Sequence, residues 1–185
     1  CLGGDKAPPV SPAQSRSVRQ KLDRIAEGKL ARGAVVVLTE GEINSYLRYD
    51  YAEEIPPGLS DPHLRLDSDR VIGDVMVDFA EWQAARGESP GMLLGFLLRG
   101  KRRVEVTARF TSAQGRGQAD IESVRIGGVP VSPAVVRFLI ENVVQPRYPE
   151  AVVGRPVELG YGLEQVRVER GRAVVVGGNG EKERS

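Results

Sequence analysis

Residues 129–149, VPVSPAVVRFLIENVVQPRYP, decide how the rest of the chain is read. Ser132 is placed to cap a helix and Pro133 to fill its first turn, where a missing N–H costs nothing. Pro146 and Pro149 stop it, which predicts a helix of about three and a half turns. At about 100° per residue, Val135, Val136, Leu139, Ile140, Val143 and Val144 cover about half the circumference, wider than a coiled-coil seam. Arg137, Glu141, Asn142 and Gln145 share the other half with Phe138. So apolar a helix needs a concave partner, and most of the remaining chain reads as strands that can supply one.

The predicted strands lie on both sides of it. From His63 the apolar period becomes two: Leu64 and Leu66, a turn at Asp67-Ser-Asp69, then Val71, Gly73, Val75, Val77 and Phe79 on one face. Val104, Val106, Ala108 and Phe110 alternate with Glu105, Thr107, Arg109 and Thr111, a half-buried strand. The loop SAQGRG (112–117) leads to Ala119 and Ile121, then to Val124 and Ile126, and that break in phase predicts a bulge near Glu122. Gly127-Gly128 turns tightly into Val129-Pro-Val131. After the helix, Val157, Leu159, Tyr161 and Leu163 alternate, Val166 and Val168 follow out of phase, and Arg170-Gly171 turns into Ala173–Val176. The expected sheet is antiparallel, with hairpins and bulges that bend it strongly.

Shorter helices precede and interrupt the strands. Ser17-Val-Arg-Gln20 reads as a capping box, followed by Val18, Leu22, Ile25 and Ala26 at helical spacing and terminated at Gly33. Val35–Leu38 is a short strand, and Thr39-Glu-Gly-Glu42 a second box opening a helix with Ile43, Tyr46 and Leu47 on one face. Ile55-Pro-Pro-Gly58 is a turn, Ala80–Arg86 a brief helix and Pro90–Leu98 a strongly apolar one.

Composition excludes several function classes. The 185 residues suit one domain, with 41% hydrophobic and 28% charged residues. A net charge of +1, from 26 basic and 25 acidic side chains, provides no global field for nucleic acid. No apolar run approaches the roughly 18 residues of a membrane span. Cys1 is the single cysteine, so no internal disulfide and no cysteine metal cluster form. The small and polar stretch LGGDKAPPVSPAQSRS behind it has linker composition, with a reach of roughly 50 Å when extended. The expected organisation is a tether at 1–16, one domain at 17–176 and a disordered tail at 177–185. A cysteine at position one followed by a tether resembles a mature bacterial lipoprotein, cut before that cysteine and acylated on it.

Leu38-Thr-Glu-Gly-Glu-Ile-Asn-Ser-Tyr-Leu47 resembles the opening signature of small bacterial tubular lipid-binding (TULIP) domains. So does the order that follows: strand pairs, Val77-Asp-Phe79, a short apolar helix, Ile126-Gly-Gly-Val-Pro-Val131 running into a helix, and Pro156-Val-Glu-Leu-Gly-Tyr-Gly162. The likeness spans about residues 35–176. It implies an α+β fold in which a highly curved antiparallel sheet wraps a long apolar helix. It also implies a groove or tunnel for lipid chains, no catalytic residue, no cofactor, and a place on the periplasmic side of the envelope, lipid-anchored at the outer membrane. The expected lining is Val75, Val77, Met92, Leu93, Phe96, Leu97, Val106, Ala108, Phe110, Val136, Leu139, Ile140, Val143, Leu159 and Tyr161. The expected partners are a phospholipid or other apolar ligand and a membrane surface reached through acylated Cys1; no nucleic acid is expected, and the sequence names no protein partner.

Other candidate sites read as ordinary surface. The lone His63 has no nucleophile beside it, and no serine sits in a G-x-S-x-G elbow. Asp67, Asp69, Asp74 and Asp78 lack the glycine and terminal glutamate of a calcium loop and read as a solvated strand face. Gly115-Arg-Gly117 and Gly127-Gly128 lack the strand-to-helix setting of a phosphate loop. Met92-Leu-Leu-Gly-Phe-Leu-Leu98, followed by Arg99, Lys101, Arg102 and Arg103, carries three readings: a buried helix with cations at its C-terminal end, an apolar lip with cations on anionic headgroups, or the mouth of a lipid tunnel. The rival to lipid binding is a structural or interaction module, a cell-envelope scaffold with a filled core and an exposed sheet edge for a partner.

Overall fold

The first helix begins earlier than the Ser17 box implies, because a better cap precedes it. A computed structural model describes residues 9–28, 30–84, 99–141 and 153–178, with the side chains of 82–84, 138 and 139 excepted. Helix α1 (Pro12–Ala26) is capped by Ser11, whose hydroxyl accepts from the Gln14 N–H, with Pro12 in the first turn. Pro12–Arg16, expected as tether, are therefore helical. Ser17 lies inside the helix and its hydroxyl donates to Glu42 Oε1 at 2.7 Å. Gly28, at φ +63°, ends the helix before the expected Gly33. Val18 and Ile25 are buried and Leu22 packs against them, so the apolar spacing does mark the inward face.

The second box forms as its residues dictate. After β1 (Val35–Thr39), Thr39 caps α2 (Glu40–Tyr49): its hydroxyl accepts from the Glu42 N–H at 3.2 Å, and Glu42 Oε2 accepts from the Thr39 N–H at 2.9 Å.

Two antiparallel sheets follow. The larger contains β2 (Leu59–Asp67), β3 (Arg70–Asp78), β4 (Lys101–Ala113), β5 (Arg116–Ile126) and β6 (Val129–Pro130) in chain order, with β7 (Val157–Glu158) also on β5. The smaller joins β1, β9 (Arg172–Gly177) and β8 (Leu163–Glu169) in that order. Helix α3 (Phe79–Ala84) interrupts the larger sheet after β3, and α4 (Pro133–Leu139) follows β6, continuing through Ile140 and Glu141 in a wider turn. Ser132 stands at its N-cap in extended conformation, without a capping bond from its side chain. The expected bulge is present: Thr107 pairs with Ser123 and Ala108 with Ile121, which leaves Glu122 unopposed. The phase break before Val166 is a second one, since Leu163 pairs with Gly177 and Gln165 with Val176.

Two expectations are corrected. The 112–117 loop shrinks to Gln114-Gly115, both at positive φ (52° and 73°), a two-residue turn that lets β4 and β5 run on. Residues 157–163 are not one strand, because Gly160, Tyr161 and Gly162 all take positive φ (69°, 50° and 67°) and turn the chain. The α+β class and the antiparallel sheet are present, but the described residues show no long apolar helix wrapped by the sheet. At one end of the larger sheet Leu66 is buried among Val18, Leu38, Val168 and Val175, so α1, α2 and the smaller sheet supply there the cover expected from one helix. At the other end Val136 of α4 packs against Val77, Phe79, Val124 and Ile126. Positions 142–145 of the predicted helix and all of Pro90–Leu98 lie outside the described residues.

Free strand edges are closed by side chains. Asn44 of α2 donates to the Leu64 carbonyl and accepts from the Leu64 N–H, both at 2.7 Å, and Glu40 Oε2 accepts from the Leu66 N–H at 2.8 Å. Those two side chains stand where a strand would pair with β2. Lys21 Nζ donates to the Val37 carbonyl of β1 at 2.7 Å. On β8, the Ser112 hydroxyl accepts from the Val166 N–H at 2.7 Å and donates to its carbonyl at 2.6 Å.

Glu42 sits at the centre of the α1–α2 contact. Its side chain is 9% exposed and accepts from Lys21 Nζ at 2.7 and 2.8 Å. Burial pushes its carboxyl up, but the bonds from Lys21, the Thr39 N–H and Ser17, with the Lys21 charge, outweigh burial and hold it below the ordinary carboxylate value.

Asn44→Ala strands the N–H and C=O of Leu64 together. Urea titration should show a loss of roughly 2–6 kcal/mol, at about 1–3 for each of the two orphaned groups. Because the folded pKa of Glu42 lies below its unfolded value of 4.5, its stabilisation is complete above that pH and is lost as pH falls through the lower folded value. The urea midpoint should therefore fall below about pH 4.5, and Glu42→Gln should remove a share of that dependence that added salt does not remove.

Candidate functional site

Strand β5 is paired on one side along its whole length and on the other only at its ends. At its C-terminal end Arg125 pairs with Pro130, Ile126 with Val129, and the Val131 N–H donates to the Val124 carbonyl at 2.9 Å. At its N-terminal end Arg116 pairs with Glu158, Gly117 with Val157, and the Gly154 N–H donates to the Ala119 carbonyl at 2.9 Å. Strand alternation sends the Ile121 backbone to this same side, where no described residue pairs with it.

A cleft of about 470 Å³ opens at that gap. Ile121, Val124, Val131, Val136, Ile140 and Val153 form its apolar lining, and Asp120, Glu122, Arg137, Glu141 and Arg155 stand around it. The bulge makes this floor possible. With one extra residue at Glu122, Ile121 and Val124 both face the side carrying Val106 and Ala108, although three positions separate them.

The same bulge fixes the charge at the rim. Glu122 accepts from Arg70 Nε at 2.7 Å and from Arg109 Nε at 2.8 Å. Hydrogen bonds from Arg70 and Arg109 hold its carboxyl below the ordinary value, and the Arg70 guanidinium is held up in turn, chiefly by its bond to Glu122. Both arginines project from strands β3 and β4, so the acid nearest the bulge is neutralised from outside the cleft. Asp120 accepts from Gln118 Nε2 at 2.9 Å.

Several expected lining residues surround this place and others do not. Val77 is buried in the cluster that includes Val124 and Ile126, and Val75, Val106 and Val136 pack against it. Ile140 lines the cleft itself. Ala108 is half-buried on the same sheet face. Phe110 packs toward the other cluster, and Leu159 reaches Gly117 beside it. Tyr161 is 59% exposed at its turn, away from any lining. Met92, Leu93, Phe96, Leu97, Val143 and Cys1 lie outside the described residues, as does the side chain of Leu139. Arg99, Lys101, Arg102 and Arg103 are exposed where β4 begins.

Sequence reasoning missed Ile121, Val124, Val131 and Val153 as lining. The phase break at Glu122 was their signal, because a bulge returns both flanking apolar residues to one face.

The other polar groups are structurally engaged. His63 Nδ1 stands 3.6 Å from Asp74, which also meets Arg103. Asp78 accepts from the N–H groups of Ala80 and Glu81 at the start of α3. Asp67 lies below the ordinary carboxylate value through its bond from the Ser68 N–H, aided by Arg170. No grouping of acids, histidine and cysteine able to hold a metal exists among the described residues. A second cleft of about 440 Å³ is lined by Arg32, Glu164 and glycine backbone. Its amides are occupied: Gly33 donates to Gly177, Gly115 to Glu164 and Gly178 to Gly162.

Compared with family models, curated proteins and solved structures, the chain matches none of them.

Gly117, near the start of β5, is closely packed. A Cβ there would lie 2.7 Å from Leu159 Cδ2 and 3.0 Å from Phe110 Cζ. Gly117→Val should lower the unfolding free energy by about 1–3 kcal/mol through overpacking, measured by urea titration.

Proposed function

We propose that this chain is a non-enzymatic lipid-binding domain that holds acyl or other apolar chains between α4 and the inner face of the larger sheet. One observation carries the reading. A cleft with six aliphatic residues in its lining stands between α4 and β5, and Ile140, from the apolar arc of residues 129–149, is one of them. Its size falls within the roughly 300–1,000 Å³ of small-molecule sites, and the described residues of its lining include no aromatic ring, which suits flexible aliphatic chains.

The resemblance to TULIP domains supports the same reading in finer form: a strongly curved sheet closed around a longer apolar helix, with the cleft continuing as a groove or tunnel. On that reading Cys1 is acylated and anchors a lipoprotein on the periplasmic side of a bacterial envelope. The ligand is a phospholipid or another apolar molecule, and neither a cofactor nor catalysis takes part.

Native mass spectrometry and solvent extraction of the purified chain test this directly. The wild type should carry lipid. Ile140→Trp should fill the cleft and remove most of that lipid, with little change in Tm, because a ring placed in existing space does not overpack a core. A lipid-free wild type, with Ile140→Trp strongly destabilised, would overturn the proposal in favour of a filled scaffold module.

A further inference from the structure

The larger sheet ends, on the side of the cleft, in a corner rich in arginine. Arg99, Lys101, Arg102 and Arg103 lead into β4, and the antiparallel register brings Arg125 of β5 beside them, opposite Glu105. The Gly127-Gly128 turn joins this corner to β6. Backbone carbonyls hold the guanidiniums in place: Arg125 Nη2 donates to Gly128 O at 2.7 Å and Arg102 Nε to Arg99 O at 3.2 Å. The Arg102 stem lies over Gly127, 3.3 Å from where a Cβ would stand.

Acidic neighbours balance part of this charge. Arg103 meets Asp74, and Lys101 stands 4.0 Å from Asp78. Among the described residues, Arg99, Arg102 and Arg125 have no carboxylate within ion-pair distance. At the tip beside them Val129 is 53% exposed, an apolar side chain left in water next to unpaired cations. Two residues farther on, Val131 lines the cleft.

We propose that this corner docks on a membrane surface, with Arg99, Arg102 and Arg125 meeting anionic lipid headgroups and Val129 entering the interface. Cations beside an exposed apolar side chain match a bilayer interface, where charge lies above hydrocarbon. Nucleic acid fits less well: the corner offers no aromatic side chain for stacking among the described residues, and its apolar tip has no place on a phosphate backbone. The inference deepens the lipid-binding reading by naming the surface from which lipid is exchanged. Docked this way, the Val131 end of the cleft faces the headgroups.

The test uses the full chain with unmodified Cys1, in co-sedimentation with phosphatidylcholine vesicles with and without phosphatidylglycerol. Binding is expected only with the anionic lipid and should weaken as salt is raised. Each cation near an anionic surface contributes about fivefold in partition, so Arg99→Ala/Arg102→Ala/Arg125→Ala should lose on the order of a hundredfold. Arg16→Ala/Arg32→Ala/Arg48→Ala, which removes equal charge elsewhere, should bind like the wild type. Equal loss in both triple variants, no binding by the wild type, or tighter binding to single-stranded DNA than to anionic vesicles would overturn the proposal. Extracted lipid is measured in the same samples. Docking lost with lipid retained is the expected pattern for the corner variant, whereas a lipid-free wild type that still docks defeats the cleft reading and leaves this one standing.

Discussion

The structure depends on side chains that act as strands. The two sheets do not form one continuous ladder, yet each presents backbone groups along an edge that must find partners or water. Asn44 and Glu40, one helical turn apart on α2, serve Leu64 and Leu66 on β2. Lys21 of α1 serves β1, and Ser112 serves β8 from the inner face of β4. Glu42 joins the two helices that carry most of these groups, through Lys21, Ser17 and its own cap. The helix pair is thus held by polar bonds as well as by apolar burial, and it packs with the smaller sheet around Leu66 of the larger one.

Against that background the gap on β5 is distinctive. Elsewhere on the sheet margins, polar side chains or short strands take up backbone groups, whereas β6 and β7 leave the middle of β5 uncovered by described residues. The bulge at Glu122 interrupts the regular ladder there and turns both neighbouring aliphatic residues inward. The result is a sheet margin that is apolar on its inner side and carries an arginine-bound acid on its outer side. Such an arrangement separates a hydrocarbon-like surface from charge over one residue, which is the chemistry an amphipathic ligand presents.

The segment LTEGEINSYL illustrates how a sequence signature and its physical role differ. Read from sequence, only Thr39 and Glu42 explain themselves, as a capping box with local partners. Glu40 and Asn44 look like solvent-facing helix residues, but they are buried because β2 needs them. Likewise the serine at 17 satisfies the spacing rule for a cap and is used instead by Glu42 across the helix interface. Local rules predict bonds between near neighbours well, and they do not register a partner 20 or more positions away, such as Leu64 for Asn44.

Sequence by itself determined the antiparallel α+β class, the strand alternation, the Thr39 cap, the Gly127-Gly128 turn and the bulge at Glu122. Each follows from periodicity or backbone conformation within a few residues, which any fold of this chain must respect. Tertiary structure decided the division into two sheets, the cover that α1, α2 and the smaller sheet give one end of the larger sheet, and the exposure of Tyr161 at a turn. It also decided which face of the bulge becomes a wall of the cleft and that Arg125 joins the basic corner across the β4–β5 ladder. Those outcomes rest on register and on which edges meet, and both are set by contacts between residues far apart in the chain.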